Sequence, residues 1–243
     1  MSLALVTGAN RGIGLALVRM LLARGDRVVA ACRQPGRASA LSQLAGEHPG
    51  RLHVLPLDVC EPKSHAELVR ELPLVLGNGE DDRSGRLDLL INNAGVLHSG
   101  ERFGQVSAER LEHSLRTNTL GPFLLTQALA PLLGSGAKVA NISSELGSIA
   151  GCTGFGTPSY NISKAALNMA TVLLRHALAE HAYAQRAIVV LALHPGWVRT
   201  QMGGDGASLA PEDAAAGLLR VINEAGPADS GRYLDWRGNP LPW

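Results

Sequence analysis

Aromatic residues make up only 4% of this 243-residue chain, and charged residues make up 18%. The shortage of aromatic side chains disfavours stacking platforms for single-stranded nucleic acid. The 22 Lys and Arg residues nearly balance the 21 Asp and Glu residues, which argues against a basic nucleic-acid surface. No apolar run approaches the roughly 20 residues that span a bilayer. We therefore expect neither a nucleic-acid partner nor a membrane partner.

Cysteine is scarce: the chain has only Cys32, Cys60 and Cys152, at spacings unlike those of metal ligands. So few cysteines, odd in number, make a reducing cytoplasm the simplest compartment. The first residues lack the positively charged leader of a signal peptide and are typical of a strand, which also favours a cytoplasmic protein. The eight histidines form no metal-binding pattern, so we expect no metal site.

What the chain contains in quantity is hydrophobic residues, at 46%, and glycine, with 28 residues. Short apolar runs alternate with helical patterns, which is typical of strands joined by crossover helices over a parallel sheet. Strands are predicted at residues 3–7, 27–32, 52–57, 87–92, 138–142 and 188–193, with a weaker one near Tyr233. Helices are predicted at residues 12–24, 37–45, 62–72, 108–133, 160–180 and 211–224.

This alternation predicts a three-layer α/β sandwich with a mostly parallel seven-stranded sheet, because crossovers between parallel strands are right-handed. The stretch at residues 77–85 is rich in glycine and charge, and we predict a surface loop there, too short for a domain linker. The chain is therefore expected to form a single domain over residues 1–243.

A glycine-rich turn follows the first predicted strand, with Gly8, Gly12 and Gly14 in a Gly-x-x-x-Gly-x-Gly pattern. Glycines at such a turn let the backbone approach a pyrophosphate, and the N–H groups of the helix start face its charge. Taken alone, the pattern also suits an ordinary strand-to-helix turn. The position in the chain favours a Rossmann-like dinucleotide site.

The second predicted strand ends at Cys32 and Arg33, without the acidic residue that commonly binds the adenosine ribose. Arg33, and Arg11 within the glycine turn, can instead pair with a 2′-phosphate, which favours NADP(H) over NAD(H). The alternative is that both are solvated surface charges. Asp58, after the third strand, is placed to contact adenine, or else to cap the helix ahead of Pro62.

A tyrosine and a lysine lie four residues apart at Tyr160 and Lys164, so one helical face would present both. A neighbouring cation, reinforced by the positive charge of an oxidised nicotinamide, lowers the pKa of a phenol from its usual value near 10, which would let Tyr160 exchange a proton with a carbonyl or hydroxyl group. Ser143 and Ser144 end the fifth predicted strand, where a hydroxyl can donate to the same oxygen. Alternatively, these serines only turn the chain.

Asn118 lies in the predicted helix 108–133, four residues before Pro122. Because proline has no N–H, the main-chain oxygen of Asn118 loses its usual helical partner. We expect this oxygen to hold a water linked to Lys164, which would give Tyr160 a proton path to solvent. The alternative is that Pro122 is simply a tolerated kink.

Together these motifs, with Asn92-Asn93-Ala94-Gly95 and Pro195-Gly196, resemble the short-chain dehydrogenase/reductase family over nearly the whole chain. The resemblance implies a catalytic tetrad of Asn118, Ser144, Tyr160 and Lys164; Ser144 is preferred to Ser143 because the family's serine is usually the second of such a pair. The residues that it implies for cofactor binding are Gly8, Asn10, Arg11, Gly12, Ile13, Gly14, Arg33, Asp58, Val59, Asn93, Ala94, Gly95, Tyr160, Lys164, Pro195, Gly196, Val198 and Thr200.

Segments 142–149, 195–204 and 235–243 resemble more narrowly the C-factor and sniffer subgroup, which contains carbonyl reductases and a bacterial developmental signalling protein. The resemblance implies an NADP(H)-dependent oxidoreductase that transfers hydride between nicotinamide and a carbonyl or alcohol carbon. It is compatible with a homodimer or homotetramer. The competing hypotheses are a nucleotide-binding signalling protein with incidental turnover and a sugar-nucleotide epimerase, although the chain lacks the residues for an epimerase's larger substrate domain.

The expected substrate is a small apolar aldehyde, ketone or alcohol. Residues 201–210, between Thr200 and Pro211, are predicted to form a short lid of only ten residues. The segment 151–158, predicted to form the other wall of the pocket, contains chiefly small or apolar residues. A short lid suits an open pocket, and a sugar would need more hydrogen-bonding groups than these segments offer.

Overall fold

A computed structural model describes residues 2–76 and 86–243 of the chain, so the loop predicted at residues 77–85 lies outside the described residues. The strands are β1 (Leu3–Thr7), β2 (Arg27–Cys32), β3 (Leu52–Pro56), β4 (Leu87–Asn92), β5 (Leu133–Ile142), β6 (Val189–His194) and β7 (Tyr233–Asp235). They form one seven-stranded sheet in the order β3-β2-β1-β4-β5-β6-β7, with parallel pairing throughout. The predicted Rossmann-like sheet is confirmed.

The helices are α1 (Gly12–Ala23), α2 (Ser39–Glu47), α3 (Pro62–Leu76), α4 (Ala108–Leu115), α5 (Gly121–Leu129), α6 (Pro158–Leu178) and α7 (Pro211–Glu224). Buried apolar residues form two clusters, one on each face of the sheet: α1, α2 and α7 contribute to one, and α3, α5 and α6 to the other. Successive residues of β1 alternate between them, with Val6 in the first and Leu5 in the second. Burial on both faces explains why the strands are apolar at nearly every position. No helix in the described part of the chain is both long and apolar enough to cross a membrane.

The predicted helix 108–133 was wrong as a single α-helix. A π-helical turn at Arg116–Leu120 separates α4 from α5, and β5 already begins at Leu133. Within the π turn the N–H of Gly121 bonds to the main-chain oxygen of Arg116. Pro122 next to it has no N–H for the α-helical bond to Asn118, which explains why the α-helical pattern is interrupted here. The predicted helix 160–180 is displaced by two residues, since α6 starts at Pro158 and ends at Leu178.

The carboxyl ends of the parallel strands meet at one edge of the sheet. The glycine turn follows β1, Asn93 follows β4, Ser143 follows β5 and Pro195 follows β6. The sheet order places β1 beside β4, β4 beside β5 and β5 beside β6. Because ligands of open α/β sheets bind at this edge, the topology gathers the predicted site residues there.

Candidate active site

A cleft of about 810 Å³ opens at the carboxyl edge of the sheet, within the range typical of ligand pockets. Most of the predicted cofactor-binding residues line it: Gly8, Asn10, Arg11, Gly12, Ile13, Arg33, Asp58, Val59, Asn93, Ala94, Gly95, Tyr160, Lys164, Pro195 and Thr200. Gly14, Gly196, Val198, Asn118 and Ser144 are not among the residues that line the cleft.

Gly8 and Gly12 of the glycine turn present backbone alone to the cleft. Gly8 and Gly12 have left-handed φ values of 63° and 53°, which favour glycine. A Cβ atom on Gly14 would lie 2.3 Å from the main-chain oxygen of Gly8 and 2.6 Å from Nδ2 of Asn93. Gly14 therefore permits close packing of the helix start under the turn, and the exposed backbone fits a dinucleotide pyrophosphate.

The segment after β4 holds the turn in place. Asn93 Nδ2 donates to the main-chain oxygens of Thr7 and Gly8, at 2.9 and 3.2 Å. The hydroxyl of Thr7 accepts from the N–H groups of Asn93 and Ala94, both at 3.0 Å. These bonds tie the end of β1 to the end of β4, which makes this part of the cleft wall rigid.

The cleft wall beside the ends of β1, β2 and β3 contains the residues on which the cofactor prediction rests. Arg11 donates to the side-chain oxygen of Gln201, so it bridges the glycine turn and the segment after Thr200. The exposed Arg33 makes no hydrogen bond or ion pair with residues 2–76 or 86–243. Asp58 Oδ1 accepts from the N–H of Cys60 at 2.9 Å, so its carboxylate shapes the turn after β3.

Tyr160 and Lys164 both lie in the first two turns of α6 and both line the cleft. Lys164 Nζ donates to the main-chain oxygen of Ile142 at 2.6 Å and lies 5.6 Å from the centre of the Tyr160 ring. Burial lowers the pKa of Lys164 to about 7. A buried ammonium with a single acceptor loses hydration that this bond only partly replaces.

The phenol does not follow the expectation that Lys164 lowers its pKa. Burial raises the pKa of Tyr160 to about 12, opposed only in part by a hydrogen bond with the side chain of Ser144. Within the polypeptide, desolvation thus outweighs other effects on the phenolate. Tyr160 is therefore protonated at neutral pH.

The two serines at the end of β5 differ in what their hydroxyls contact. The Ser143 hydroxyl donates to Asn168 Oδ1 at 2.6 Å and is buried. The Ser144 hydroxyl accepts from the N–H of Leu146 at 3.2 Å, and the Ser144 side chain lies close enough to the phenol of Tyr160 to influence its pKa. Of the two, Ser144 has the hydroxyl next to the phenol.

Asn118 is buried behind the cleft and is held by its side chain. Its Oδ1 accepts from the N–H of Val96 at 2.8 Å, and its Nδ2 donates to the main-chain oxygen of Val96 and the hydroxyl of Ser163, both at 2.9 Å. A Cβ on Gly95 would lie 3.3 Å from Asn118 Oδ1 and 3.9 Å from Lys164 Nζ. Asn118 and Lys164 therefore approach the same side of Gly95, and the water between them stays a prediction.

Several cleft residues were not predicted as site residues. Those on the side of β4 and α4 are Val96, Leu97, His98, Ser99 and Thr117; the others are Cys32, Leu57, Cys60, Arg199 and Pro211. Val96 to Ser99 lie in the segment that follows β4. Because ligands of open α/β sheets bind at the carboxyl ends of the strands, these residues could have been predicted to line the cleft. Arg199 carried no comparable signal, whereas Gln201 and Met202 belong to the predicted lid 201–210.

The chain is similar in sequence and in structure to known proteins. The family model described as short chain dehydrogenase matches residues 2–208. C-signal of Myxococcus xanthus is 41% identical over 162 residues, covering 66% of this chain and 95% of C-signal. The carbonyl reductase Sniffer of Drosophila melanogaster is similar in structure, with a TM-score of 0.89, 35% identity, and coverage of 100% of this chain and 99% of that one. An NADPH-bound carbonyl reductase from chicken fatty liver has a TM-score of 0.89 and 36% identity, with both chains covered completely.

Proposed function

Because this chain belongs to the short-chain dehydrogenase/reductase family, we propose that it is an NADP(H)-dependent carbonyl reductase in which Tyr160 exchanges the proton. The observation that carries the proposal is that Tyr160 and Lys164 line the cleft together, with the Ser144 side chain next to the phenol. Two hydroxyls side by side can both donate to one substrate oxygen, which stabilises the negative charge that develops there.

The protonation state of Tyr160 suits reduction. With a pKa of about 12, the phenol carries its proton at neutral pH and can donate it to a substrate oxygen as hydride arrives at the carbonyl carbon. A dinucleotide held by Tyr160 and Lys164 through its nicotinamide ring and ribose would supply that hydride. For the reverse reaction the phenol must lose its proton, so the pKa raised by burial favours the reductive direction.

Lys164 has two roles in this proposal. Its bond to the main-chain oxygen of Ile142 fixes the ammonium at the floor of the cleft, where it can donate to ribose hydroxyls. Its pKa of about 7 would rise if such acceptors were added, since hydrogen bonds to the charged form favour that form. The restored positive charge would then favour proton release from Tyr160 in the oxidative direction.

Preference for NADP(H) rests on Arg11 and Arg33, which both line the cleft. Arg33 is exposed and makes no contact with an acidic side chain in residues 2–76 or 86–243, so its guanidinium is available to a 2′-phosphate. The similar carbonyl reductase from chicken binds NADPH. An apolar carbonyl substrate is favoured by the apolar side chains of Val96, Leu97 and Met202, which also line the cleft.

The test is a fluorescence titration with NADPH and NADH, followed by turnover of a panel of aldehydes and ketones that differ in polarity. We expect tighter NADPH binding and turnover of apolar carbonyl compounds, and we expect Tyr160→Phe to lower kcat at least 100-fold with unchanged NADPH affinity. Tyr183→Phe is the matched control, because Tyr183 is not among the residues lining the cleft. Full activity of Tyr160→Phe would overturn the proposed role of the phenol.

A second candidate function is signalling, favoured by the 41% identity with the protein named C-signal. In that case partner contacts matter and turnover is incidental. A cellular assay with Tyr160→Phe separates the two: if the variant loses reductase activity but keeps the cellular effect, signalling gains support. Loss of both favours the enzyme.

Assembly into a homodimer or homotetramer is also proposed. Helices α5 and α6 carry exposed apolar side chains, at Leu120 just before α5, Leu124, Ile162, Met169 and Leu173. Contiguous exposed apolar surface of this kind often marks a protein interface. Light scattering after size exclusion gives the molar mass, and a monomer at micromolar concentration would contradict this proposal.

A further inference from the structure

The segment after β7 folds back along that strand. The N–H of Asp235 donates to the main-chain oxygen of Asn239 at 2.9 Å, and the N–H of Leu241 donates to that of Tyr233 at 2.9 Å. This reversal brings the ring of Trp243 onto the ring of Tyr233, with centres 5.2 Å apart and planes inclined by 27°. Tyr233 and Trp243 are called the aromatic pair below.

The aromatic pair contacts both ends of the segment 144–150, which begins with Ser144. The hydroxyl of Tyr233 donates to the main-chain oxygen of Ser144. At the other end, the N–H of Ala150 donates to the main-chain oxygen of Trp243 at 2.9 Å. The aromatic pair therefore connects the sheet edge at β7 to the segment that carries the Ser144 hydroxyl.

The opposite side of this segment packs on α6. Asn168 Nδ2 donates to the main-chain oxygen of Gly147 at 3.2 Å. A Cβ on Gly147 would lie 2.8 Å from the main-chain carbon of Lys164, so the two backbones are in close contact. The segment 144–150 is thus held between the helix that carries Tyr160 and Lys164 and the aromatic pair.

We propose that Tyr233 and Trp243 are positioning residues for Ser144. Neither is among the residues that line the cleft, and Tyr233 is 2% exposed, so they act through the Ser144 peptide group rather than on substrate. Loss of the Tyr233 hydroxyl leaves the Ser144 main-chain oxygen without this donor, and loss of the Trp243 ring removes the surface that packs against Tyr233. Either change lets the Ser144 hydroxyl move relative to Tyr160.

The inference rests on the proposed function, because it needs Ser144 to act in turnover. The variants are Tyr233→Phe, Trp243→Ala and the conservative Trp243→Phe, with Tyr183→Phe as control. A misplacement of about 1 Å can lower turnover up to roughly 100-fold, so we expect kcat to fall about tenfold or more in the first two. Trp243→Phe keeps an aromatic ring and should keep most activity, and the KM for NADPH should change less than about twofold.

Coupling to Ser144 is the decisive measurement. In the Ser144→Ala background, Trp243→Ala should cause no further loss of kcat, because the group that it positions is absent. Equal fractional losses of kcat from Trp243→Ala in both backgrounds would overturn the inference, since the aromatic pair would then act independently of Ser144.

Hydrogen exchange supplies a readout that needs no activity. We expect Trp243→Ala to speed exchange at the amides of Leu146, Gly147 and Ala150, while α6 and β5 keep their protection. Unchanged exchange in this segment would overturn the positioning role even if the enzyme is active. Absence of reductase activity in the parent protein, with the local exchange change present, would instead overturn the proposed function and leave the structural link intact.

Discussion

Glu101 caps the helix that carries the proposed catalytic tyrosine, through two hydrogen bonds to Ser159. Its carboxylate accepts from the main-chain N–H of Ser159 at 3.1 Å and from the Ser159 hydroxyl. Both residues are buried. Thr157, at the N-cap position of α6, makes no side-chain capping bond. A carboxylate from the segment after β4 therefore does what a local N-cap residue usually does, and its charge suits the positive end of the helix.

Glu101→Ala should lower the free energy of unfolding by about 1–3 kcal/mol, because the variant loses a cap and leaves the Ser159 N–H buried without its acceptor. Glu101→Gln keeps an acceptor oxygen and should lose less. Urea unfolding measures both. Glu112→Ala is the control: its exposed carboxylate lies 3.9 Å from Arg116, and such pairs contribute little. Equal unfolding midpoints for Glu101→Ala and Glu112→Ala would refute the capping role.

The buried amine of Lys164 makes stability depend on pH. Its pKa is lowered to about 7 in the folded chain, against the ordinary value of 10.5. Between these pH values the unfolded chain binds a proton that the folded chain releases, so the free energy of unfolding rises as pH increases. With about 1.4 kcal/mol for each pH unit at most, this group should add up to ~2 kcal/mol between pH 7 and pH 9.

Lys164→Met should remove that rise. The measurement is urea unfolding of the parent and the variant at pH 7 and pH 9, and the difference between them cancels the contributions of other titrating groups. Lys63→Met, on the exposed start of α3, should keep the pH dependence of the parent. Parallel pH profiles for the parent and Lys164→Met would show that the amine is not desolvated as described.

Local sequence patterns were sufficient to predict the sheet and the glycine turn, but not the path of the chain between α4 and β5. The strand Leu133–Ile142 extends further back than predicted because Leu133 pairs with Leu87 across a register shift. That pairing depends on the neighbouring strand. From sequence alone, the apolar residues around Leu133 are equally compatible with the end of a helix. Only pairing with β4 makes this segment a strand.

The contacts that support the candidate site were hardest to predict for the same reason. Glu101 and Ser159 are 58 residues apart, and Tyr233 and Ser144 are 89 residues apart. No periodicity or spacing rule connects such positions. Tyr160 and Lys164 were predictable as neighbours because helix geometry alone brings positions four apart together; their pKa values were not, because desolvation depends on the complete fold.

Arg33→Ser should weaken NADPH binding about tenfold to 100-fold and leave NADH binding nearly unchanged, because a charge-assisted bond to a 2′-phosphate contributes roughly 1.5–3 kcal/mol. Since Arg33 is exposed, the difference should shrink at high salt. Fluorescence titration at two salt concentrations measures this. Arg70→Ser, an exposed position on α3 outside the cleft lining, should bind both cofactors as the parent does. An equal loss of affinity for NADPH and NADH would show that Arg33 does not bind the 2′-phosphate.

Gly14 and Gly46 provide a matched pair for the close packing under the glycine turn. Both are helical, in α1 and α2, and neither has a left-handed φ. A Cβ at Gly14 would lie 2.3 Å from the main-chain oxygen of Gly8, whereas a Cβ at Gly46 would meet no atom within 4 Å.

Gly46→Ala should therefore raise the free energy of unfolding by up to about 1 kcal/mol, since alanine favours a helix over glycine. Gly14→Ala should lower it, and should weaken NADPH binding at least tenfold, because the helix start must move away from a turn whose backbone faces the cleft. Thermal unfolding and NADPH titration of both variants measure the contrast. If Gly14→Ala bound NADPH as the parent does, the position of the turn would not depend on the contact between Gly14 and Gly8.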